Sequence, residues 1–242
     1  MVSEYVNSPH VDFFIDRVDR DSGYEMASFH IHHKYEIYYE IEGSRRYFIE
    51  DAAYIVNAGC VVLIGENQIH KTASLGDTAS SRIVMNFSRE YLDKIMDIFP
   101  EVDFFSFLSE EHNHLLSNNT VKQQNQIQGL LQQLLALQEE TSPESDALRK
   151  MLLATLLLEL KDLCRQQQEQ GGENGRVSNH IVDQIQAYIA EHYAEKLSFD
   201  FSMRFCAEKT GFMTTAHFRR VFKDATGLSP QQYRQYYKRV NK

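Results

Sequence analysis

The sequence has no tryptophan, three cysteines and four prolines, and it lacks an apolar run near the roughly 20 residues that a membrane span needs. The cysteines are far apart and form no C-x-x-C pair, so neither a thiolate zinc site nor a disulfide framework is indicated. The N-terminus, MVSEYVNSPHVD, has no basic stretch followed by an apolar one, as a secretory signal would. These absences predict a cytoplasmic globular protein with buried thiols and no membrane partner.

The net charge of −9 is distributed unevenly along the 242 residues. Residues 176–242 hold eleven Lys and Arg against six Asp and Glu, whereas the rest of the chain is strongly acidic. Only the C-terminal part therefore has the positive charge that contacts with nucleic-acid phosphates require. Because the length suits one or two domains, we expect the acidic part to have a separate task.

Residues 11 to about 88 have the pattern of a β-rich domain. Short runs such as VDFFIDRV and YEIYYEIEG are rich in β-branched and aromatic residues, and glycine-containing turns separate them. Several short strands at this spacing predict a sandwich or a barrel. A helix is expected to follow at 89–99, before Pro100.

Two long helices are predicted at about 121–140 and 144–168, separated by Thr141-Ser142-Pro143. Leucines recur along both segments at helical spacing. These apolar stripes fit packing within the subunit and also a homodimer interface of paired helices, and the two interpretations are compatible. The polar, glycine-rich segment GGENGRVS at 171–178 predicts a linker.

A helix-turn-helix pattern lies at 205–234, in FCAEKTGFMTTAHFRRVFKDATGLSPQQYR. We expect a short helix at 205–209, a turn at Gly211, and a second helix that Thr214 caps and Gly227 ends. That helix has apolar residues at i, i+3 and i+4 and cations on its other face. This arrangement is typical of a recognition helix that lies in a DNA major groove. The residues expected to contact DNA are Thr214, Thr215, Ala216, Arg219, Arg220, Lys223, Gln231 and Arg234.

This segment resembles the second helix-turn-helix of the AraC/XylS family of bacterial transcription regulators. The residues that match the family signature are Ala207, Gly211-Phe212, Phe218, Phe222-Lys223, Thr226-Gly227, Ser229-Pro230 and Tyr233-Arg234. The family usually has two such units, whereas only one complete unit fits between Leu197 and Arg234. We therefore expect a shortened DNA-binding domain at 179–242, with fewer base and phosphate contacts per subunit.

Two blocks in the β-rich part resemble the cupin motifs. The first, H-x-H-x3-E-x6-G, begins at His30, and the second contains Gly59, Gly65 and His70. The second block departs from the pattern, since Gly65 and Asn67 stand where Pro and Gly are usual. Three imidazoles and a carboxylate suit a divalent first-row metal, and alternate strand residues share a face. The metal ligands that the resemblance implies are His30, His32, Glu36 and His70.

The stretch HIHHKYEIYYEIEG also resembles the cupin-type sensing domain of the AraC family, which generally binds a small effector, most commonly a sugar. The same polar residues would then contact the effector or brace the barrel mouth. The effector-binding residues expected on this basis are His30, His32, Glu36, Tyr38, Arg46 and His70. No resident cofactor is expected apart from the candidate divalent metal.

Together these patterns predict an α+β protein. A double-stranded β-helix (cupin) barrel is expected at 1–115, dimerisation helices at 116–170, the linker at 171–178 and an all-α helix-turn-helix domain at 179–242. The expected function is an effector-responsive, sequence-specific DNA-binding transcription regulator of sugar or small-metabolite genes, a homodimer with RNA polymerase as a further partner, and not an enzyme. The alternatives are a metal-dependent cupin enzyme, or a sensor and dimerisation module that has lost specific DNA binding.

Overall fold

The structure is a computed structural model that describes residues 3–4, 12–23, 26, 29–50, 52–75, 77–110, 113–117, 119–170 and 214–240. The chain divides into two compact units. One unit consists of residues 2–49 and 55–175, and the other of residues 176–242 with residues 1 and 50–54. The predicted linker at 171–178 lies outside the described residues.

The described strands form two five-stranded sheets. In chain order they are β1 (Ser3–Glu4), β2 (Phe13–Arg20), β3 (His30–Ile31), β4 (Tyr35–Glu42), β5 (Ser44–Ile49), β6 (Ala52–Asn57), β7 (Val61–Ile64), β8 (His70–Ser74), β9 (Ser80–Phe87) and β10 (Leu115–Leu116). One sheet has the order β1-β3-β8-β5-β6, and the other has the order β10-β7-β4-β9-β2.

The strand order identifies the fold of this part of the chain. The pairs β2–β9, β4–β9, β4–β7, β3–β8 and β5–β8 are antiparallel, whereas β1 runs parallel to β3. Consecutive strands from β2 to β9 alternate between the sheets except at β5–β6, as in a double-stranded β-helix. The predicted α+β chain with an antiparallel β-rich N-terminal part is confirmed.

The two faces of β4 explain how the barrel is filled. Because successive strand residues point to opposite sides, Ile37 and Tyr39 face one way and Glu36, Tyr38 and Glu40 the other. The apolar face joins a hydrophobic core that includes buried leucines of the helices that follow. The polar face lies inside the barrel, where its side chains bond to residues of β5 and β9. The barrel interior is therefore polar, whereas its outer face carries the apolar core.

The helices of this unit are α1 (Asp93–Ile98), α2 (Val121–Ala136) and α3 (Pro143–Glu169), with 3₁₀ turns at Glu90–Leu92 and Ser106–Ser109. Thr120 and Gln123 form a capping box at the start of α2, and Ser142 caps α3. The helices begin and end within a few residues of their predicted bounds. Of the helices that the structure describes, none combines the length and apolar character needed to cross a bilayer.

The leucines of α2 and α3 divide into two groups. Leu134, Leu156 and Leu160 are fully buried in the core, so the predicted packing within the subunit is confirmed for them. A different face of α3 carries exposed Leu148, Met151 and Leu158, at 44%, 52% and 44% relative exposure. This second face, called the α3 stripe below, is available for a different contact.

The second unit contains α4 (Thr215–Thr226) and α5 (Pro230–Val240). The Thr214 side chain caps α4 by accepting from the backbone N–H of His217, at 3.2 Å. Gly227 ends α4 in the left-handed conformation at φ 72°, which glycine adopts without steric cost. Phe218, Phe222 and Tyr233 pack between the two helices. The predicted cap, stop and buried face are confirmed, whereas the predicted helix at 205–209 lies outside the described residues.

Candidate ligand and metal site

Four side chains predicted from the sequence meet inside the barrel. One nitrogen or oxygen atom from each of His30, His32, Glu36 and His70 lies within 4.8 Å of the others. Glu36 and His70 are 5% and 0% exposed, and the two remaining imidazoles are largely buried. The cluster therefore holds a carboxylate and three imidazoles away from bulk water.

Strand pairing and one unusual backbone conformation position the imidazoles. His30 of β3 lies directly opposite His70 of β8, and their ring centroids are 4.0 Å apart. The carbonyl of His32 accepts the backbone N–H of Asn67 at 2.9 Å, where Asn67 is left-handed at φ 62°. Asparagine tolerates this conformation better than most residues. The departure at Asn67 from the cupin pattern is therefore accommodated, and the cluster geometry is kept.

Glu36 is held by three neighbours. Its Oε1 accepts from the Tyr47 hydroxyl at 2.7 Å, and its Oε2 accepts from Asn86 Nδ2 at 3.0 Å and lies 3.2 Å from His32 Nε2. Burial alone would raise the pKa of Glu36, but the charge of His70 and the hydrogen bond from His32 hold it well below its ordinary value. Sequence patterns did not predict that Tyr47 and Asn86 contact Glu36, because both contacts depend on strand register.

The histidine hydrogen bonds define which ring nitrogen faces the carboxylate. Nδ1 of His32 and Nδ1 of His70 each lie 2.9 Å from a backbone carbonyl, that of Lys34 and of Gln68 respectively. A carbonyl only accepts, so each Nδ1 carries a proton and donates it. Each Nε2 then turns toward Glu36 Oε2, at 3.2 Å for His32 and 3.6 Å for His70. The lone pair of each Nε2 would then face a lone pair of the carboxylate oxygen, so a proton or a cation must lie between the two atoms.

The pKa shifts apply to the cluster when it holds protons and no metal. Burial lowers the pKa of His32, but the hydrogen bond and charge of Glu36 outweigh it and raise this pKa above its ordinary value. Burial, together with the charge of His70, lowers the pKa of His30 to about 4. Without a metal, these shifts favour a protonated His32 beside an ionised Glu36, and a neutral His30.

The same residues fit a divalent metal. His70 Nε2 is buried, and it has no hydrogen-bond partner among the described residues. Backbone carbonyls fix the tautomers of two imidazoles, and Tyr47 and Asn86 orient the carboxylate, as outer groups do around metal ligands. Three imidazoles and one carboxylate are donors that suit zinc, iron, cobalt or nickel. The donor set, its burial and its supporting hydrogen bonds thus satisfy the requirements of a metal site.

A second polar layer lies beyond Tyr38 and Tyr47, whose rings meet edge to face at 5.0 Å. The Tyr38 hydroxyl donates a short hydrogen bond to Glu40 Oε2, and the Arg82 guanidinium lies 5.7 Å from the Tyr38 ring centroid. The side chain of Arg45 is fully buried and its Nε donates to Thr72 Oγ1 at 3.1 Å.

The structure brings Tyr38, but not Arg46, to the barrel interior. Residues 45, 47 and 49 of β5 share the interior face, and Arg46 lies on the opposite face of the strand. Arg45 takes the place that the sequence interpretation gave to Arg46. The strand pattern RRYFI does not indicate which of two adjacent arginines points inward, and effector binding by Arg46 stays a prediction.

The C-terminal unit exposes most of the residues predicted to contact DNA. On α4 and its cap, the exposed residues are Thr214, Ala216, Arg219, Arg220 and Lys223, and Thr215 is half-buried. On α5, Gln231 is exposed and Arg234 is half-buried. These side chains lie apart from the buried Phe218 and Phe222, so one face of α4 carries three cations.

The strand order and polar interior define a double-stranded β-helix domain equipped to bind a ligand. The profile of one family, described as the AraC-like ligand binding domain, matches residues 17–157, which is more than half of the chain. The chain therefore belongs to the AraC-like ligand-binding domain family. No functionally curated protein matches it.

Several solved structures are similar to this chain. One is wild-type ToxT from Vibrio cholerae strain SCE256 with a bound unsaturated fatty acid, at 16% identity over 92% of this chain and 94% of that chain, with a TM-score of 0.43. Another is ToxT from Vibrio cholerae O395 bound to (E)-4-(8-methylnaphthalen-1-yl)but-3-enoic acid, at 12% identity over 94% and 100%, with a TM-score of 0.43. A third is the Schizosaccharomyces pombe Cnp3 cupin domain, at 12% identity over 37% and 61%, with a TM-score of 0.32. Likenesses at this level do not bear on what this chain binds.

Proposed function

We propose that the chain is an effector-responsive transcription regulator that binds specific DNA and is not an enzyme. The observation that carries this proposal is the pairing of an AraC-like ligand-binding domain with a capped helix that exposes Arg219, Arg220 and Lys223. A helix with buried aromatic residues on one face and cations on the other suits the major groove. Such a regulator acts in the cytoplasm and has RNA polymerase as a further partner.

The proposed mechanism couples the barrel to the DNA-binding heads of a homodimer. An effector in the barrel would bind one arrangement of the two subunits more tightly than another, and so shift the population between them. Two heads per dimer would supply two contacts with the operator, which compensates for a single helix-turn-helix per subunit. A sugar or another small metabolite is the effector class that the family resemblance favours.

DNA recognition is tested by replacing the exposed arginines of α4. We expect Arg219→Ala and Arg220→Ala each to weaken binding to the operator by about 1–3 kcal/mol, because an arginine that reads guanine makes two hydrogen bonds. Fluorescence anisotropy with the DNA upstream of the protein's own gene, at two salt concentrations and with nonspecific competitor, measures this loss.

Two further variants distinguish loss of base recognition from a general loss of DNA affinity. Lys223→Ala is expected to weaken specific and nonspecific binding alike and to reduce the salt slope by about one, as loss of a phosphate contact does. Lys122→Ala removes an exposed lysine on α2 and should leave binding unchanged. Equal binding of the wild-type protein to operator and random DNA would favour the alternative of a sensor that no longer recognises DNA.

The four-donor cluster favours a second candidate function, the binding of a divalent metal by His30, His32, Glu36 and His70. A bound metal would supply a Lewis acid with open positions for a ligand. The supporting observations are the atoms within 4.8 Å and the tautomers that direct two Nε2 atoms inward. This candidate is compatible with a regulator, since a metal can be part of a sensor site as well as of an enzyme.

Metal binding is tested by the metal content of the purified full chain. We expect close to one equivalent of a first-row divalent metal per chain, and we expect His70→Ala to abolish it, because the buried imidazole leaves a gap in the donor set. Inductively coupled plasma mass spectrometry after dialysis against metal-free buffer gives the stoichiometry.

The neighbouring histidine provides a matched control. His33 is exposed and belongs to no donor group found among the described residues, so His33→Ala should keep the metal. Loss of metal in both variants, or its absence from the wild-type protein after incubation with zinc, iron, cobalt and nickel salts, would refute this candidate. Turnover that required the metal would support the cupin enzyme instead of the regulator.

A further inference from the structure

The second polar layer of the barrel contains a carboxylate that is completely buried and only half satisfied. Glu40 is 0% exposed, and its Oε2 accepts from the Tyr38 hydroxyl. Its Oε1 is buried and has no hydrogen-bond partner in the part of the chain that the structure describes. A buried polar atom without a partner is costly, so such an atom in a ligand-binding domain points to a group that is bound there.

Arg82, the cross-strand partner of Glu40, is the complementary half of this site. Its side chain is 4% exposed, and within the described residues its hydrogen bonding is limited to a 3.5 Å contact from Nη1 to Ser80 Oγ. Glu40 and Asp19 interact with its charge only at longer range, because no described carboxylate lies within 4.0 Å of the guanidinium. A guanidinium offers five N–H donors, and its strongest partner is a carboxylate bound by two of them.

An apolar surface lies next to this pair. Val18 of β2 is opposite Arg82, and Val84 is two residues further along β9 on the same face. Both valines are only partly buried, although their face of the sheet is the barrel interior. The site therefore combines one cation, one unsatisfied carboxyl oxygen and a small apolar wall.

We propose that the barrel binds an organic carboxylate between Arg82 and Glu40, with its short apolar body against Val18 and Val84. Arg82 donates to the ligand carboxylate, and Glu40 binds it in the protonated form, donating from its unsatisfied oxygen. Two ionised carboxylates in contact would repel each other, so ligand binding requires that proton. This inference rests on the ligand-binding part of the proposed function and does not involve DNA recognition.

The surroundings of Glu40 are suited to this protonation. Burial raises its pKa to about 7, against the opposing hydrogen bond from Tyr38 and the charges of Arg82 and Arg45. Cys60, from the turn before β7, lies next to Glu40, since its backbone carbonyl accepts the Glu40 N–H at 3.1 Å, and burial raises the pKa of its thiol. Near neutral pH the carboxyl group can therefore take up or release a proton at little cost, as a proton-coupled ligand site requires.

The first test is isothermal titration calorimetry on the full chain with linear monocarboxylates from acetate to octanoate. Each acid is paired with its primary amide, which has the same shape without the charge, and glucose provides an uncharged polyol. We expect at least one carboxylate to bind about tenfold or more tightly than its amide. Failure of every carboxylate to bind, equal affinity for acid and amide, or tight binding of glucose at this site would overturn the proposal.

Three variants test whether the carboxylate binds in the second polar layer of the barrel. We expect Arg82→Gln to lose carboxylate binding. Arg82→Lys keeps the charge but cannot bind the carboxylate bidentately, so it should retain part of the affinity. Arg17→Gln removes a 57% exposed arginine from the opposite face of β2 and should bind as the wild-type protein does. Circular dichroism melts show which variants are folded. Full affinity in a folded Arg82→Gln protein would refute the site.

The proton provides a readout that a purely structural role would not give. Wild-type affinity should fall about tenfold between pH 6 and pH 8, because Glu40 is mostly ionised at the higher pH and must then take up a proton. Titrations at pH 8 in buffers of different ionisation enthalpy should show nearly one proton taken up per ligand. Glu40→Gln mimics the neutral form, so its affinity should not depend on pH, and an unchanged pH dependence would exclude Glu40 as the proton acceptor. None of these measurements uses DNA, so they stand if DNA binding fails.

Discussion

Replacing Glu36 with alanine is expected to lower the free energy of unfolding by about 3–5 kcal/mol, because it leaves the buried His32 imidazolium without its counter-charge. The change also leaves the Tyr47 hydroxyl and the Asn86 amide without the acceptor that they share. Urea denaturation of chelator-treated protein, followed by circular dichroism, measures the loss without any contribution from a bound metal.

The loss should depend on pH in a defined direction. The folded-state pKa of Glu36 is below its ordinary 4.5, so the stability that it contributes is present above pH 4.5 and is lost on acidification. The folded-state pKa of His32 is above its ordinary 6.5, so its contribution is complete below pH 6.5 and is lost as the pH rises through the raised value. The difference between wild type and Glu36→Ala should therefore be largest between these two values.

A residue on the same strand serves as the control for Glu36. Glu42 lies six residues further along β4 and is exposed, so Glu42→Ala should change the unfolding free energy by less than about 0.5 kcal/mol. A Glu36→Ala protein as stable as Glu42→Ala at pH 6 would mean that the buried cluster does not contain the ion pair inferred from its hydrogen bonds.

The sequence identified the donor set of the cluster because its spacing is local. His30 lies on β3, His32 follows that strand directly, and Glu36 lies on β4 of the other sheet. The short connection between β3 and β4 therefore brings the three side chains together. His70 could be added only through its resemblance to a second motif, since β3–β8 pairing is not readable from one sequence. The ligand types were therefore predictable, and the distances between them were not.

The contacts of the supporting residues depend on strand register and on which strand face points inward. Asn86 contacts Glu36 because β9 pairs with β4 so that the two residues are opposite each other, and a shift of one residue would turn Asn86 outward. Arg45 rather than Arg46 points inward for the same reason. Glu40 and Arg82 have ordinary sequence surroundings, and only their joint burial distinguishes them from surface charges. Long-range pairing thus determines the part of the site that local patterns cannot predict.

The α3 stripe is predicted to form the subunit contact of the proposed homodimer. Leu148, Met151 and Leu158 are exposed, and with Thr155 they follow the 3-4-3 spacing of a coiled-coil seam. The opposite face of α3 is already used, since Leu153, Leu156 and Leu160 are buried in the subunit core. A second copy of the chain would cover the exposed leucines and methionine by pairing α3 with its symmetry mate.

We expect the double variant Met151→Glu with Leu158→Glu to be a folded monomer, because two charges in the centre of the seam cannot be buried without partners. Light scattering coupled to size exclusion gives the mass in solution. Since each subunit of the proposed regulator carries one DNA-binding head, loss of the dimer should also weaken operator binding by about 10²–10⁴-fold, the gain that linking two heads provides. Anisotropy with the same operator DNA measures that loss.

The control for the stripe is an exposed apolar residue elsewhere in the same unit. Ile98 at the end of α1 is 66% exposed, so Ile98→Glu introduces the same charge outside the stripe and should leave both mass and DNA affinity unchanged. A wild-type protein that is monomeric at micromolar concentration, or a double variant that stays dimeric, would place the subunit contact away from α3. A monomeric double variant with full operator affinity would instead show that one head is sufficient for recognition, because the avidity of two linked heads would then contribute nothing.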